Sequence, residues 1–266
     1  MKIAFIGGGN MAEAILAAVL ANQIASPEEV TVSDIAEARR TYLQSKFKVS
    51  TTDQNLQAIS NKDILVLAVK PKVLAEVMAE LKGRIQPDQL IISIVAGKSI
   101  STLISGLDHS CIVRSMPNTP AQISEGITVW TATSQVKAQQ KRWAASILGG
   151  MGTEVYVDDE KYLDMATAVS GSGPAYVFLF VEAFTEAAVK LGFTPELASK
   201  LVMQTLLGAS HLLRNSGRTP QDLRRAVTSP GGTTAEAIAA FEKGGFNDLV
   251  AQAVQAAYRK ARELGG

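Results

Sequence analysis

Residues 3–15 read IAFIGGGNMAEAI. A short apolar run, Ile3 to Ile6, gives way at once to three glycines, and then Ala, Glu and Ile follow at helical spacing. The grouping Gly7-x-Gly9-x-x-Ala12 puts small residues where a strand-to-helix turn needs them. Gly7 permits the tight turn, Gly9 lets the backbone approach a pyrophosphate, and Ala12 lets the helix pack closely on the strand. Strand, turn and helix in that order point to a dinucleotide site; the alternative is a tight βα turn without ligand. The residues expected against the nucleotide are Ile6, Gly7, Gly9, Asn10 and Met11.

Outward from this turn the chain keeps alternating. Strand patterns at 2–6, 30–33, 63–69, 90–95 and 111–114 are separated by helical ones, beginning with 10–21 and 36–46. The runs DILVLAV and LIISIV are apolar throughout, as strands buried on both faces are. Such alternation implies right-handed βαβ units and a doubly wound, mostly parallel sheet, the α/β Rossmann arrangement. Two more strands are expected at 127–131 and 154–157, with a helix near 136–148 between them. Beyond about Asp158 only helical patterns remain, near 174–191, 195–213, 233–243 and 246–264. Two domains are therefore expected: 1–158 for NAD(P) binding, and 159–266, all-helical, for dimerisation and substrate.

The strand ends carry the next expectations. The second strand finishes Val32-Ser33-Asp34-Ile35, where an adenine ribose should lie. Asp34 would favour a free 2′-hydroxyl and so NAD, whereas Ser33, Arg39 and Arg40 could serve a 2′-phosphate. LAVKP (67–71) and SIVAG (93–97) end two further strands and should line the nicotinamide side through Ala68, Val69, Lys70, Pro71, Ala96 and Gly97. The Lys70 side chain is either a contact there or an exposed charge.

Composition narrows the partners. Across 266 residues the net charge is +1, with 47% hydrophobic and 19% charged residues. That balance gives no electrostatic reason for a nucleic acid or an anionic membrane. One cysteine, Cys111, excludes an intrachain disulfide and fits a reducing compartment. With no signal-peptide core and no apolar run of about 18 residues, a cytoplasmic location is expected. The helix at 174–191 starts well, with Pro174 in its first turn. Its Glu182, Glu186 and Lys190 form one narrow stripe, and Val177, Phe178, Phe180, Val181, Phe184 and Leu191 cover most of the rest. A helix apolar nearly all round must be buried nearly all round, which points to a second subunit.

Three further motifs stand out: MPNTP (116–120), SGSGPAY (170–176) and SPGGTT (229–234). With FIGGGNMAEAI, DILVLAVKP, IVAG, EGIT, LVMQTLLGAS and VTSPGGTTAEAI, in that order, the whole chain closely resembles pyrroline-5-carboxylate reductase. The resemblance implies a Rossmann domain followed by an all-helical domain that interleaves with its copy in a homodimer, which relatives assemble into rings. It implies reduction of a cyclic imine to proline with NADPH or NADH. The family favours NADP, but many relatives carry a basic residue where this chain has Asp34-Ile35. The resemblance further implies that the turn at Ser229, Gly231, Gly232 and Thr233 holds the substrate carboxylate. Thr234 matches a threonine that hydrogen-bonds the ring nitrogen and donates or relays a proton; its alternative role is to cap the 233–243 helix. A turn from Ser170 to Gly173 would form another wall, and Asn118 and Thr119 would approach the nicotinamide.

The residue chemistry is consistent with that. Imine reduction needs hydride at carbon and a proton at nitrogen, and an imine that arrives protonated requires no strong protein acid. The three motifs hold no His, Lys or Cys, and the chain has only His109 and His211. Backbone N–H groups at a helix N-terminus can hold a carboxylate without a lysine. A β-hydroxyacid dehydrogenase, with the same layout, needs a lysine near the glycine-rich turn, and Lys190 lies too far along its helix. A dinucleotide sensor without turnover would have no use for the SPGGTT turn.

Overall fold

The computed structural model describes residues 1–265. Among them, eight strands form one sheet: β1 Ile3–Ile6, β2 Val30–Ser33, β3 Ser50–Thr52, β4 Ile64–Leu67, β5 Leu90–Ser93, β6 Ile112–Met116, β7 Gly126–Ala132 and β8 Gly152–Tyr156. The order is β3-β2-β1-β4-β5-β6-β7-β8. Strands β1 to β6 run parallel, β7 is antiparallel to β6, and β8 is parallel to β7. The chain direction of winding reverses at β1, which pairs with β2 on one side and β4 on the other. Ligands of open α/β sheets sit outside the strand ends at that reversal.

Helices α1 Asn10–Ala21, α2 Glu37–Phe47, α3 Asn55–Ile59, α4 Leu74–Leu81, α5 Ile100–Leu107 and α6 Ala138–Gly149 cover the sheet. The two-residue period of β1 splits its side chains between two cores. Ile3 and Phe5 join Ile15, Leu16 and Val19 of α1 on one face. Ala4 and Ile6 join Leu74 and Leu81 of α4 and Leu103 of α5 on the other. Both layers are apolar and buried, and truncating a leucine such as Leu65 or Leu67, each 0% exposed, should cost about 2–5 kcal/mol.

The expected Rossmann sheet is present, with one strand more than the sequence pattern suggests. Strand β3 has three polar residues, Ser-Thr-Thr, and lies at the sheet edge, so it carries no apolar period to read. Its Thr52 carbonyl accepts the N–H of Asp34 at 3.1 Å, which steadies the tip of β2.

After Tyr156 the described residues are helical: α7 Lys161–Ala166, a π-helical turn Thr167–Gly171, α8 Gly173–Lys190, α9 Pro195–Ser216, α10 Pro220–Ala226, α11 Thr233–Lys243 and α12 Phe246–Gly265. No described helix is long and apolar enough to cross a membrane. By packing, the chain divides into a unit of Met1–Pro174 with α12 from Ala256 onward, and a unit of Ala175–Gln255. The change of character at 158/159 is thus a change of secondary structure, and packing continues across it. Arg114 of β6, 5% exposed, is the reason. Its guanidinium pairs with Glu160 at 2.6 Å and Asp164 at 2.9 Å, and Glu160 also accepts the Ile100 N–H at 2.7 Å. These bonds tie α7 to the sheet.

Helix α8 behaves as its composition demands. Within one chain only its Ala188 is buried. Val177, Phe178, Leu179 and Phe184 stand 41–66% exposed. An open apolar face of that extent marks a protein–protein contact.

Candidate active site

A cavity of about 480 Å³ opens at the C-terminal ends of β1, β2 and β4. Gly7, Gly9, Ser33, Asp34, Ala68, Val69 and Lys70 line it, as the sequence suggests. Ile35, Asn55, Lys72, Val73, Glu76 and Glu80 line it as well.

The glycine turn is built by close approach. Gly7 has φ +94°, and a Cβ there would lie 2.8 Å from the Ala68 carbonyl oxygen. Its N–H donates to Ser33 O at 2.8 Å, and Ala68 N–H donates to Ile6 O at 2.9 Å, so β1, β2 and β4 meet at this point. Gly9 is different: a Cβ there would meet nothing within 4 Å. It is also the N-cap of α1, and no side chain caps that helix. The N–H groups of Asn10 and Met11 have no partner inside the helix and carry its positive dipole end. Open space beside uncapped donors fits a dinucleotide pyrophosphate.

Several expected contacts need refining. Ile6 is 0% exposed, sealed beneath the turn, and its side chain does not line the cavity. Asn10 is exposed and Met11 half-buried at the start of α1. Pro71 opens a 3₁₀ turn, Pro71–Val73, with Lys70 exposed before it. Ala96 is half-buried, but Gly97 is buried, and a Cβ on it would lie 2.7 Å from Leu264 Cβ in the last turn of α12.

The tip of β2 is rich in bonds. The Asp34 carboxylate accepts Gly8 N–H at 2.8 Å and Ala36 N–H at 2.9 Å. Ser33 Oγ donates to Asn55 Oδ1 at 2.7 Å, and Asn55 Nδ2 donates to Glu80 Oε2 at 2.7 Å. Neither nearby arginine is idle. Arg39 pairs with Glu13 at 2.5 Å and donates to Gly8 O, while Arg40 donates to the Asp34 and Ile35 carbonyls at 2.8 and 3.1 Å. Burial alone would raise Glu13, but hydrogen bonds from Lys46, Arg39 and Tyr42 outweigh it and hold its pKa down at about 2.

Asn118 is 9% exposed. Its Nδ2 donates to Ser170 O at 3.1 Å, and its Oδ1 accepts the Ile127 N–H at 3.0 Å. The expected Ser170–Gly173 turn is not a turn. Thr167–Gly171 is π-helical, with Ser172 N–H reaching Thr167 O at 2.8 Å, and the path continues directly into α8. Pro174 is the second residue of α8, in its first turn as expected, with the π-helical turn leading into it through Ser172. Ser170 itself is half-buried, its Oγ donating to Ala166 O at 2.9 Å.

The SPGGTT stretch is a tight turn. Gly232 N–H donates to Ser229 O at 3.1 Å, with Pro230 and Gly231 between them. Gly231 has φ +68°, so Pro then Gly gives a type II turn. Gly232 N–H is thus spent on the turn and is not a free donor, contrary to expectation. Thr233 N–H, at the first position of α11, has no partner inside the helix. The capping role considered for Thr234 also falls away. The cap position of α11 is Gly232, and no side chain caps it. Ser229 and Thr233 are exposed, and Thr234 is half-buried.

Asn55, Lys72, Glu76 and Glu80 went unnoticed in the sequence. Asn55 lies after an unread edge strand and within a helix of five residues, too short to show a period. Arg114 did leave a signal: an arginine inside CIVRSM demands acidic partners, and Glu160 and Asp164 stand one turn apart.

Comparison with known proteins agrees with this layout. Residues 160–264 match the family described as pyrroline-5-carboxylate reductase dimerisation. Residues 2–97 match the family described as NADP oxidoreductase coenzyme F420-dependent. A pyrroline-5-carboxylate reductase of Synechocystis sp. is 42% identical over 265 residues, covering 100% of this chain and 98% of that protein. A solved pyrroline-5-carboxylate reductase from Coxiella burnetii superposes with TM-score 0.91 at 39% identity, covering 100% of this chain and 98% of that one. The Plasmodium falciparum pyrroline carboxylate reductase, solved with NADP bound, gives TM-score 0.90 at 32% identity, covering 100% and 98%.

Proposed function

The chain belongs to the pyrroline-5-carboxylate reductase family, and on that premise we propose what its individual residues do. The enzyme reduces 1-pyrroline-5-carboxylate to L-proline, an NAD(P)H-dependent oxidoreductase reaction on a C=N bond. When bound, NADPH or NADH supplies the hydride.

The uncapped start of α1 at Gly9, Asn10 and Met11 holds the pyrophosphate, with Gly7 and the Ile6 backbone forming its floor. Ser33 and Asp34 meet the adenine ribose. Ala68, Val69, Lys70, Pro71, Ala96 and Gly97 border the nicotinamide, and Asn118 fixes the backbone beside them.

The Gly231 and Thr233 N–H groups, at the positive end of α11, carry the substrate carboxylate. Ser229 and Gly232 shape that turn, and Ser170 of the π-helical turn and Gly173 at the start of α8 also bind the substrate. The Thr234 hydroxyl bonds the ring nitrogen and positions it for hydride delivery, the iminium substrate bringing its own proton. The observation that carries this assignment is the uncapped α11 terminus with the Thr234 hydroxyl one position inside it.

Residues 1–158 serve as the NAD(P)-binding domain and 159–266 as the dimerisation and substrate domain. The chain pairs with a second copy through its C-terminal helices, and such dimers assemble into a ring. The exposed face of α8 supports the pairing. The single cysteine supports a cytoplasmic location.

Thr234→Val tests the assignment. Losing one hydrogen bond made in the transition state should lower turnover about 10- to 100-fold while cofactor affinity stays unchanged. Parallel loss of both would make Thr234 a structural residue.

A further inference from the structure

We propose that this enzyme prefers NADH to NADPH, and that Asp34 with the hydrogen-bonded chain Ser33–Asn55–Glu80 enforces the preference. The inference rests on the cofactor placement proposed above and goes one step beyond it, to the 2′ position of the adenine ribose.

A 2′-phosphate is a dianion for most of the neutral range and needs donors and cations. A 2′-hydroxyl is satisfied by an acceptor that is already held in place. The tip of β2 offers the second set. Asp34 is anchored by the Gly8 and Ala36 N–H groups at 2.8 and 2.9 Å, one to each carboxylate oxygen. Each oxygen keeps a further lone pair for a ribose hydroxyl. A phosphate at the same place would face that carboxylate as a like charge.

The neighbouring donors are already used. The Ser33 hydroxyl gives its proton to Asn55 Oδ1, and Asn55 gives an amide proton to Glu80 Oε2, each at 2.7 Å. The chain runs from the cavity floor to a carboxylate, so its donors point away from an incoming anion. Glu76 adds a second carboxylate to the lining.

The cations do not compensate. Arg39 is committed to Glu13 and Gly8 O, and Arg40 to the carbonyls of Asp34 and Ile35. Ile35, which immediately follows Asp34, is 92% exposed and apolar. Lys70 and Lys72 line the cavity from the loop after β4, where both are exposed and screened by solvent.

Equilibrium binding of NADH and NADPH, read by nicotinamide fluorescence, tests the proposal alongside initial rates with the imine. Wild type should bind NADH about tenfold or more tighter than NADPH. Asp34→Ser should shrink that ratio by about tenfold. Because Asp34 also anchors the glycine turn, Ile35→Arg supplies an independent variant at an exposed position. It should tighten NADPH more than NADH. Equal binding, tighter NADPH, or a ratio unmoved by both variants would overturn the proposal. Failure of either dinucleotide to bind would overturn it together with the cofactor placement. Preferential NADH binding without imine turnover would uphold it and instead refute the assigned reaction.

Discussion

Asn118 donates its side-chain amide to the carbonyl oxygen of Ser170 at 3.1 Å. That carbonyl is the one whose α-helical donor would be residue 174, a proline with no N–H. One polar side chain in the MPNTP motif thus answers a vacancy created in the SGSGP motif. The same amide accepts the Ile127 N–H at 3.0 Å, so it also pins the start of β7. Two motifs 52 residues apart are a single piece of backbone chemistry.

Asn118→Ala should therefore strand a half-buried carbonyl and a half-buried N–H. A fully buried orphan costs about 1–3 kcal/mol and these groups keep some access to water, so the variant should melt below wild type by about 1–2 kcal/mol in all. Asn118→Asp keeps the acceptor for Ile127 but sets a carboxylate against the Ser170 carbonyl, and should be no better. Hydrogen exchange should quicken at 167–173 in both. Wild-type melting and exchange would show that the contact contributes nothing.

The two outer glycines of the N-terminal turn should separate folding from binding. Gly9→Val adds a side chain into open space, so it should melt like wild type and lose dinucleotide binding. Gly7→Ala forces a Cβ to within 2.8 Å of the Ala68 carbonyl at φ +94°. It should lower stability by about 1–3 kcal/mol before any ligand is considered. Thermal melts and equilibrium titration check the pair. Tight binding by Gly9→Val would refute the pyrophosphate placement.

Glu13 makes stability depend on acid pH. Its pKa falls from 4.5 to about 2, as bonds from Lys46, Arg39 and Tyr42 overcome the burial that would raise it. A carboxylate depressed on folding contributes fully above the unfolded value and loses that contribution as pH falls toward the folded one. Because Lys46 and Tyr42 are exposed and solvent screens them, the contribution is about 1 kcal/mol, and it should fade between about pH 4.5 and 2. Glu13→Gln should be less stable at neutral pH and lose less of its remaining stability across that window. Urea unfolding at several pH values checks this, and parallel curves would contradict it.

The centre of the sheet is legible because β1, β4 and β5 are almost wholly apolar runs and Gly7 falls where the backbone closes on Ala68. The same logic failed at β3, where Ser50–Thr52 pairs at an edge and buries no apolar face. It failed again at 167–173. Gly and Pro there suggest a turn, but the Asn118 amide allows the helical path to continue through the proline. In the SPGGTT stretch the glycines mark the start of α11. Hydrogen-bond allocation is not legible there, since Gly232 N–H closes the turn. Local pattern shows where a backbone bends; it does not show which donors remain after bending. The acidic lining at the tip of β2 is half visible in the sequence, in Asp34, and half hidden, in Glu76 and Glu80 of α4, which lie far along the chain.

The central claim is tested most directly by supplying purified enzyme with 1-pyrroline-5-carboxylate and reduced dinucleotide, and following nicotinamide absorbance with the product. The expected result is saturable oxidation of NADH, and more weakly of NADPH, with one L-proline formed per dinucleotide consumed. Dinucleotide binding without imine-dependent oxidation, or oxidation without proline, would contradict it.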